Sequence, residues 1–172
     1  MNFVEVPNRV QEAELERIMT QYGSSLKRMC YLYLRDASLA EDAAQDTFLK
    51  AYQKLGSFRH ESTELSWLMR IAINTCKDYR RSFWFLRVDR KAALENLPEA
   101  NQEPFMTDST VVDEVMRLPG KYKDVILLRY YQEMKLKQIS ETLGIPLETA
   151  RSRLKHANKI LHQRLERWYF DE

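Results

Sequence analysis

Arg70, Asn74, Lys77 and Arg81 recur at intervals of four, three and four residues, which on a helix lines up three cations and one amide along a single face. Such a face grips phosphates. Just upstream, Phe58, Arg59, His60 and Ser62 lead to Trp67, so aromatic rings stand beside cations. Single-stranded nucleic acid is held by that combination: bases stack on rings for about 1–3 kcal/mol each while cations follow the backbone. The competing reading is that Phe58 and Trp67 are ordinary core, the commoner fate of such rings.

A second row has a different chemistry. Asp42, Gln45, Asp46, Leu49 and Gln53 surround one leucine with acids and amides, a composition that suits a protein partner and equally describes a solvated helix face. The row needs a helix, and Ser38-Leu39-Ala40-Glu41 supplies a capping box for its start and Gly56 its stop. Ala44, Phe48, Ala51, Tyr52 and Leu55 form the inward stripe of that helix. The cationic row needs another helix, expected from near Ser62 with Glu64 in its first turn and Leu68, Ile71, Ala72, Thr75 and Tyr79 turned inward. Upstream, Leu15, Ile18, Met19, Tyr22, Leu26, Met29, Cys30 and Tyr33 predict one or two helices between Val10 and Leu34.

The last third carries a helix-turn-helix pattern. Val111, Val112, Val115 and Leu118 face inward before a break at Pro119-Gly120, and Lys121 to Gln132 predict a helix burying Tyr122, Val125, Ile126 and Tyr130. Ile139 and Leu143 then line a short helix, Ser140 is the small residue at the crossing, Gly144 is the left-handed cap, and Pro146 with Glu148 starts a longer helix. Its inward stripe is Ala150, Leu154, Ala157, Leu161, Leu165 and Trp168. Recognition helices present their first turns to base edges, so Glu148, Thr149, Ser152 and Arg153 are the candidate base readers. Arg151, Lys155, His156 and Lys159 fall nearer phosphates. The same pattern also occurs in plain helical hairpins.

Composition bounds these readings. In 172 residues an apolar share of 44% with four glycines and five prolines favours an all-α globular chain. No apolar run is long enough to span a bilayer, and the first residues have neither a basic start nor a hydrophobic block. A cytoplasmic protein is expected. Cys30 and Cys76 lie in separate predicted helices with no CxxC partner, and His60, His156 and His162 have no ligand spacing with them, so no disulfide framework, metal or cofactor is expected. The net charge of +2 is unevenly spread: 12 basic against 11 acidic residues over 1–81, 3 against 5 over 82–110, and 12 against 9 over 111–172.

The expected organisation is therefore two small helical domains, residues 1–81 and 111–172, joined by a flexible linker at 82–110 that gains Asn96, Pro98, Asn101 and Pro104. The second is a helix-turn-helix domain, winged-helix-like but wingless. Phe83, Trp84 and Phe85, where the linker opens, suit packing on the first domain or contact with a partner. As a flexible coil the linker spans roughly 30 Å, enough to serve two DNA sites about one helical turn apart.

The succession AED-x-x-Q-D-T-F-L-K-A-Y, then F-R, then S-W-L-M-R-I-A-x-N-x-x-x-D-x-R-R resembles conserved region 2 of the extracytoplasmic-function (ECF) sigma factors of bacterial RNA polymerase, and LPGKYKDVILLRYYQEMKLKQISETLGIPLETARSRLKHA resembles region 4 of the same family. The resemblance implies a non-enzymatic initiation factor that binds core polymerase, reads promoter DNA and helps open it. It implies that Asp42, Gln45, Asp46, Leu49 and Gln53 meet the clamp helices of the β′ subunit, and that Phe58, Arg59, His60, Ser62, Trp67, Arg70, Asn74, Lys77 and Arg81 serve the −10 element. The second domain would dock the −35 element and the β flap, and an anti-sigma factor would hold the chain inactive; no small-molecule substrate or membrane insertion is implied.

Two rivals stand beside it. One is an autonomous helix-turn-helix regulator with an amino-terminal helical sensor domain, which would bind its operator without polymerase. The other is a metal or acid-base enzyme using Asp42, Asp46 and His60, for which no third ligand or nucleophile is suitably spaced.

Overall fold

A computed structural model describes residues 9–89 and 109–170. The chain divides into two compact units, Met1–Ala93 and Leu94–Glu172. All elements among the described residues are helical.

The first unit is built from α1 (Arg9–Leu34), α2 (Ala37–Leu55) and α3 (Glu64–Asp89). Ile18, Leu26, Met29 and Cys30 of α1 are buried against Ala40, Ala43, Phe48 and Ala51 of α2 and Leu68, Met69, Ala72 and Cys76 of α3. The alanines let α2 approach its neighbours closely, and Phe48 fills what they leave open. Thr47, fully buried, returns its hydroxyl to the Ala43 carbonyl at 2.7 Å. The two cysteines meet in this core, where the hydrogen bond between them and burial push the Cys76 thiol up, so Cys76 does not behave as a reactive thiolate.

Three boundaries differ from the sequence expectation. α2 is capped by Asp36 rather than by a Ser38–Glu41 box: Arg35 takes a left-handed turn (φ 55°), Asp36 is extended, and its Oδ1 accepts the Leu39 N–H at 2.9 Å. Ser38 is thereby already inside the helix, and Glu41 instead pairs with Lys27 of α1 at 3.2 Å. α3 starts at Glu64 rather than near Ser62, with the Thr63 Oγ1 accepting the Ser66 N–H at 3.2 Å. It also continues to Asp89, past Arg81 and through the first residues expected in the linker. The side chains of Phe83, Trp84 and Phe85 lie outside the described residues, as do residues 90–108.

The second unit comprises α4 (Ser109–Met116), α5 (Gly120–Ile126), a π-helical turn (Leu127–Tyr131), α6 (Leu136–Leu143) and α7 (Leu147–Phe170). Val112, Val115 and Leu118 are buried as expected, and so are four successive residues, Val125 to Leu128. Glu114, only 5% exposed, is held by Arg117 at 2.6 Å and by Arg164 of α7 at 3.4 Å. The π turn is closed by the Gln132 N–H bonding to the Leu127 carbonyl at 3.2 Å. Its extra residue slips the helical register, which leaves Tyr130 56% exposed instead of inward with buried Val125 and Ile126, and Tyr122, also expected inside, is half-buried. Gly144 ends α6 at φ 63°, and the Ile145 N–H closes on the Ser140 carbonyl at 3.1 Å while the Ser140 hydroxyl donates to the Ile145 carbonyl at 2.6 Å. Beyond that turn α7 packs on α6, with Ile139, Ala150 and Ala157 buried. Leu143, Leu154, Leu161 and Leu165 are half-buried, and the Trp168 side chain lies outside the described residues.

Candidate nucleic-acid and partner faces

The loop between α2 and α3 is short and held at both ends. Ser57 and Phe58 close it with N–H bonds to the Lys54 and Leu55 carbonyls at 3.0 and 3.2 Å. Phe58 stacks on Trp67, ring centroids 4.6 Å apart and planes at 25°, and His60 tilts against Phe58 with centroids 4.4 Å apart. Phe58 and Trp67 are both half-buried, so neither is consumed by the core. His60 sits in the left-handed region at φ 55°, uncommon for a side-chain-bearing residue and shared among the described residues with Arg35 and Glu133. Arg59 and His60 are exposed and Ser62 half-buried.

Behind the loop, α1 braces the start of α3. Arg17 bonds Glu14 at 2.7 Å and also pairs with Glu64, the first residue of α3. The Arg17 guanidinium holds the Glu14 carboxyl below the usual range, and its own pKa is raised by both carboxylates. Further along α3, Arg70, Asn74 and Arg81 are exposed and Lys77 half-buried, one row as the spacing required. Arg81 pairs with Asp78 at 3.3 Å, both well exposed, a bond weak enough to be exchanged for a phosphate.

On α2, Asp42, Gln45, Leu49 and Gln53 are exposed, with Leu49 at 60%. Asp46 departs from the row: it is half-buried, and its Oδ2 accepts the Tyr79 hydroxyl at 2.8 Å. Burial and the Asp46 and Asp42 carboxylates push the Tyr79 phenol up to about 12. Tyr79, inward by its spacing, thus also bonds the α2 row, a contact the spacing does not announce. Asp46 and Lys50 are one turn apart, as are Thr75 and Tyr79, and Lys50 Nζ donates to Thr75 Oγ1 at 3.1 Å in the same seam, but spacing within each helix does not say that the two pairs meet.

In the second unit the start of α7 is exposed. Glu148 and Arg151 pair at 2.5 Å on its first turn, Ser152, Lys155, His156 and Lys159 are exposed, and Thr149 and Arg153 are half-buried. Leu147, 41% exposed, precedes them. His156 places Nδ1 2.8 Å from the Ser152 carbonyl, which can only accept, so the proton sits on Nδ1. Its ring lies 6.2 Å from Tyr122 at 17°, and Lys121 reaches over Tyr122 at 5.0 Å. Asn158 bonds the exposed Tyr130 hydroxyl at 3.1 Å, so α5, its π turn and α7 present one basic, aromatic-lined surface.

Asp42, Asp46 and His60 are not gathered into a site, and the described residues hold no group of three or more His, Cys, Asp or Glu side chains arranged for a metal. Among those residues no helix is long and apolar enough to cross a membrane.

Residues 18–85 match the family described as Sigma-70 region 2, and residues 110–161 match Sigma-70, region 4. The chain is 29% identical over 163 residues to the ECF RNA polymerase sigma factor SigW of Bacillus subtilis, covering 86% of this chain and 87% of that one. It is 30% identical over 161 residues to the RNA polymerase sigma factor SigZ of the same organism, with 88% and 87% covered. Among solved structures, RpoE of Bartonella quintana in complex with the anti-sigma factor NepR aligns with a TM-score of 0.72 at 19% identity, over 89% of this chain and 97% of that one. CnrH in complex with the cytosolic domain of CnrY aligns at 0.69 and 21%, over 90% and 89%.

Proposed function

Because this chain belongs to the ECF sigma factors of bacterial RNA polymerase, we propose that its exposed rows divide the work of promoter recognition among them. As a sigma factor the chain associates with core polymerase and directs it to start transcription at specific promoters. Asp42, Gln45, Asp46, Leu49 and Gln53 dock the clamp helices of the β′ subunit; an exposed leucine ringed by acids and amides fits a basic helical partner with one apolar contact. Phe58, Arg59, His60, Ser62 and Trp67 receive an unpaired base of the −10 element, and Arg70, Asn74, Lys77 and Arg81 track the strand.

Extruding a base costs a few kcal/mol, an amount that one stacking pocket and several phosphate contacts offset. In the second unit Glu148, Thr149, Ser152 and Arg153 read the −35 element while Arg151, Lys155, His156 and Lys159 fix the helix on phosphates, and the same unit meets the β flap. Neither DNA contact has to be tight, since tethering on polymerase raises the local concentration of both units. The first domain runs on through α3 to Asp89, and the second starts with α4 at Ser109. The chain works in the cytoplasm as a binding factor rather than a catalyst, and an anti-sigma factor covers its polymerase-binding surfaces until a signal arrives, as the anti-sigma factor NepR binds RpoE.

The observation that carries the division is the half-buried Phe58–Trp67 stack in a strained loop directly ahead of the cationic row of α3. Run-off transcription with purified core polymerase, on the promoter upstream of the chain's own operon, tests the whole: a transcript with a defined start is expected only when the chain is added. Transcripts that start independently of it, or operator binding that polymerase does not affect, return the autonomous regulator.

A further inference from the structure

Asp46 is the half-buried member of an otherwise exposed row, and α3 is what holds it. Tyr79 Oη donates to Asp46 Oδ2 at 2.8 Å, and one turn away Lys50 Nζ donates to Thr75 Oγ1 at 3.1 Å, so two polar rungs fix α2 against α3. A carboxylate offers about four lone-pair sites on two oxygens, and the phenol uses one of them on Oδ2. An aspartate on an open helix face would have to be immobilised when it meets its partner; one already tethered has given up that freedom beforehand. The phenol stays a donor throughout the neutral range, since burial and the Asp46 and Asp42 carboxylates oppose its ionisation.

We infer that Tyr79 is a positioning residue for polymerase binding: its hydroxyl fixes the Asp46 carboxylate and leaves Oδ1 available to a cationic group of the polymerase. This rests on the assignment of the α2 row to the polymerase. It also gives Tyr79 a second location of interest, because it lies on the helix that carries Arg70, Asn74, Lys77 and Arg81, so the element that grips promoter DNA also sets the geometry of the polymerase contact.

The test is a double-mutant cycle on the full chain, with affinity for purified core polymerase measured by titration for wild type, Tyr79→Phe, Asp46→Ala and the double variant. Phenylalanine keeps the ring and the α2–α3 packing. Tyr79→Phe is expected to weaken binding about three- to tenfold, the scale set by one immobilised side chain, and to add less than about twofold in the Asp46→Ala background. At saturating polymerase, run-off transcription by Tyr79→Phe should return to the wild-type level, because the row that faces DNA is unchanged. If Tyr79→Phe binds as wild type does while Asp46→Ala is weakened, Tyr79 does not position the carboxylate and only the Asp46 contact stands. An equal loss in both backgrounds would mean that the hydroxyl acts through packing, which also overturns the inference. Wild-type affinity in Asp46→Ala removes the polymerase assignment itself, and the inference with it.

Discussion

Phe58 lies on Trp67 with ring centroids 4.6 Å apart and planes at 25°, which fastens the α2–α3 loop to the first turns of α3. The contact orients both rings and leaves each half-buried, so the loop presents an aromatic surface without spending it on the core. Trp67→Ala removes the platform under Phe58 and is expected to reduce promoter opening, since a ring that supports a flipped base contributes about 1–3 kcal/mol. Permanganate reactivity of promoter thymines measures this directly. Wild-type reactivity in the variant would return Trp67 to a plain packing role.

Asp46→Arg reverses the charge at the centre of the α2 row and discards the Tyr79 bond. If the row meets a basic surface of polymerase, loss of a hydrogen-bonded charge contact costs about 2–5 kcal/mol, enough to abolish association at working concentrations. Helicity should persist, because the core residues Ala43, Thr47, Phe48 and Ala51 of the same helix are untouched. A pull-down with core enzyme decides it, and retained association would remove the proposed interface.

Two glycines should respond to alanine with opposite signs. Gly144 holds φ 63° at the end of α6, where alanine is strained by about 1–2 kcal/mol although its Cβ would meet nothing within 4 Å. Gly23 lies inside α1 with equally open space and no such angle, so alanine there stabilises by about 0.5–1 kcal/mol. Thermal melts of the two variants should shift in opposite directions, and a Gly144→Ala melt at or above wild type would show that the turn tolerates another geometry.

Helical periodicity made the fold legible, because each stripe repeats over several turns: Ile18, Leu26 and Met29, or Ile139 with Ala150 and Ala157, are buried where their spacing demands. Points that depend on a single turn were not legible. Asp36 rather than Ser38 caps α2 because the chain turns at the left-handed Arg35, which periodicity does not encode, and the π turn at Leu127–Tyr131 puts Tyr130 on the surface through one extra residue. The exposed rows could be read as rows, since Asp42, Gln45 and Leu49 or Arg70 and Asn74 have no core role to compete. Contacts between rows, such as Tyr79 with Asp46, depend on which helices become neighbours and at what register, and period alone does not contain that.

The same Tyr79 gives the chain an alkaline signature. Its phenol ionises near 12 in the folded chain against about 10 in an unfolded one, so the folded state binds the proton more tightly. A raised value of this kind contributes stability fully present below pH 10 and lost as pH climbs through 12. Wild type should therefore lose stability across that window faster than Tyr79→Phe, with the two parallel between pH 7 and 9. Denaturant midpoints followed against pH measure the difference, and parallel curves throughout would mean that neither burial nor the Asp46 bond perturbs the phenol.

Arg153 and Lys159 lie on one helix yet should fail in different ways. Arg153 is half-buried near the start of α7, where a side chain that reaches a guanine edge in the major groove discriminates by about 1–3 kcal/mol. Lys159 is exposed two turns further on and suits a phosphate, which carries no sequence information. Arg153→Ala is expected to relax preference at one position of the −35 element while keeping the salt dependence of promoter binding nearly intact. Lys159→Ala should weaken all sequences alike and lower the slope of log affinity against log salt by about 1. A promoter library transcribed by the reconstituted holoenzyme at two salt concentrations separates the two effects, and an unchanged −35 preference in Arg153→Ala would reject it as a base reader.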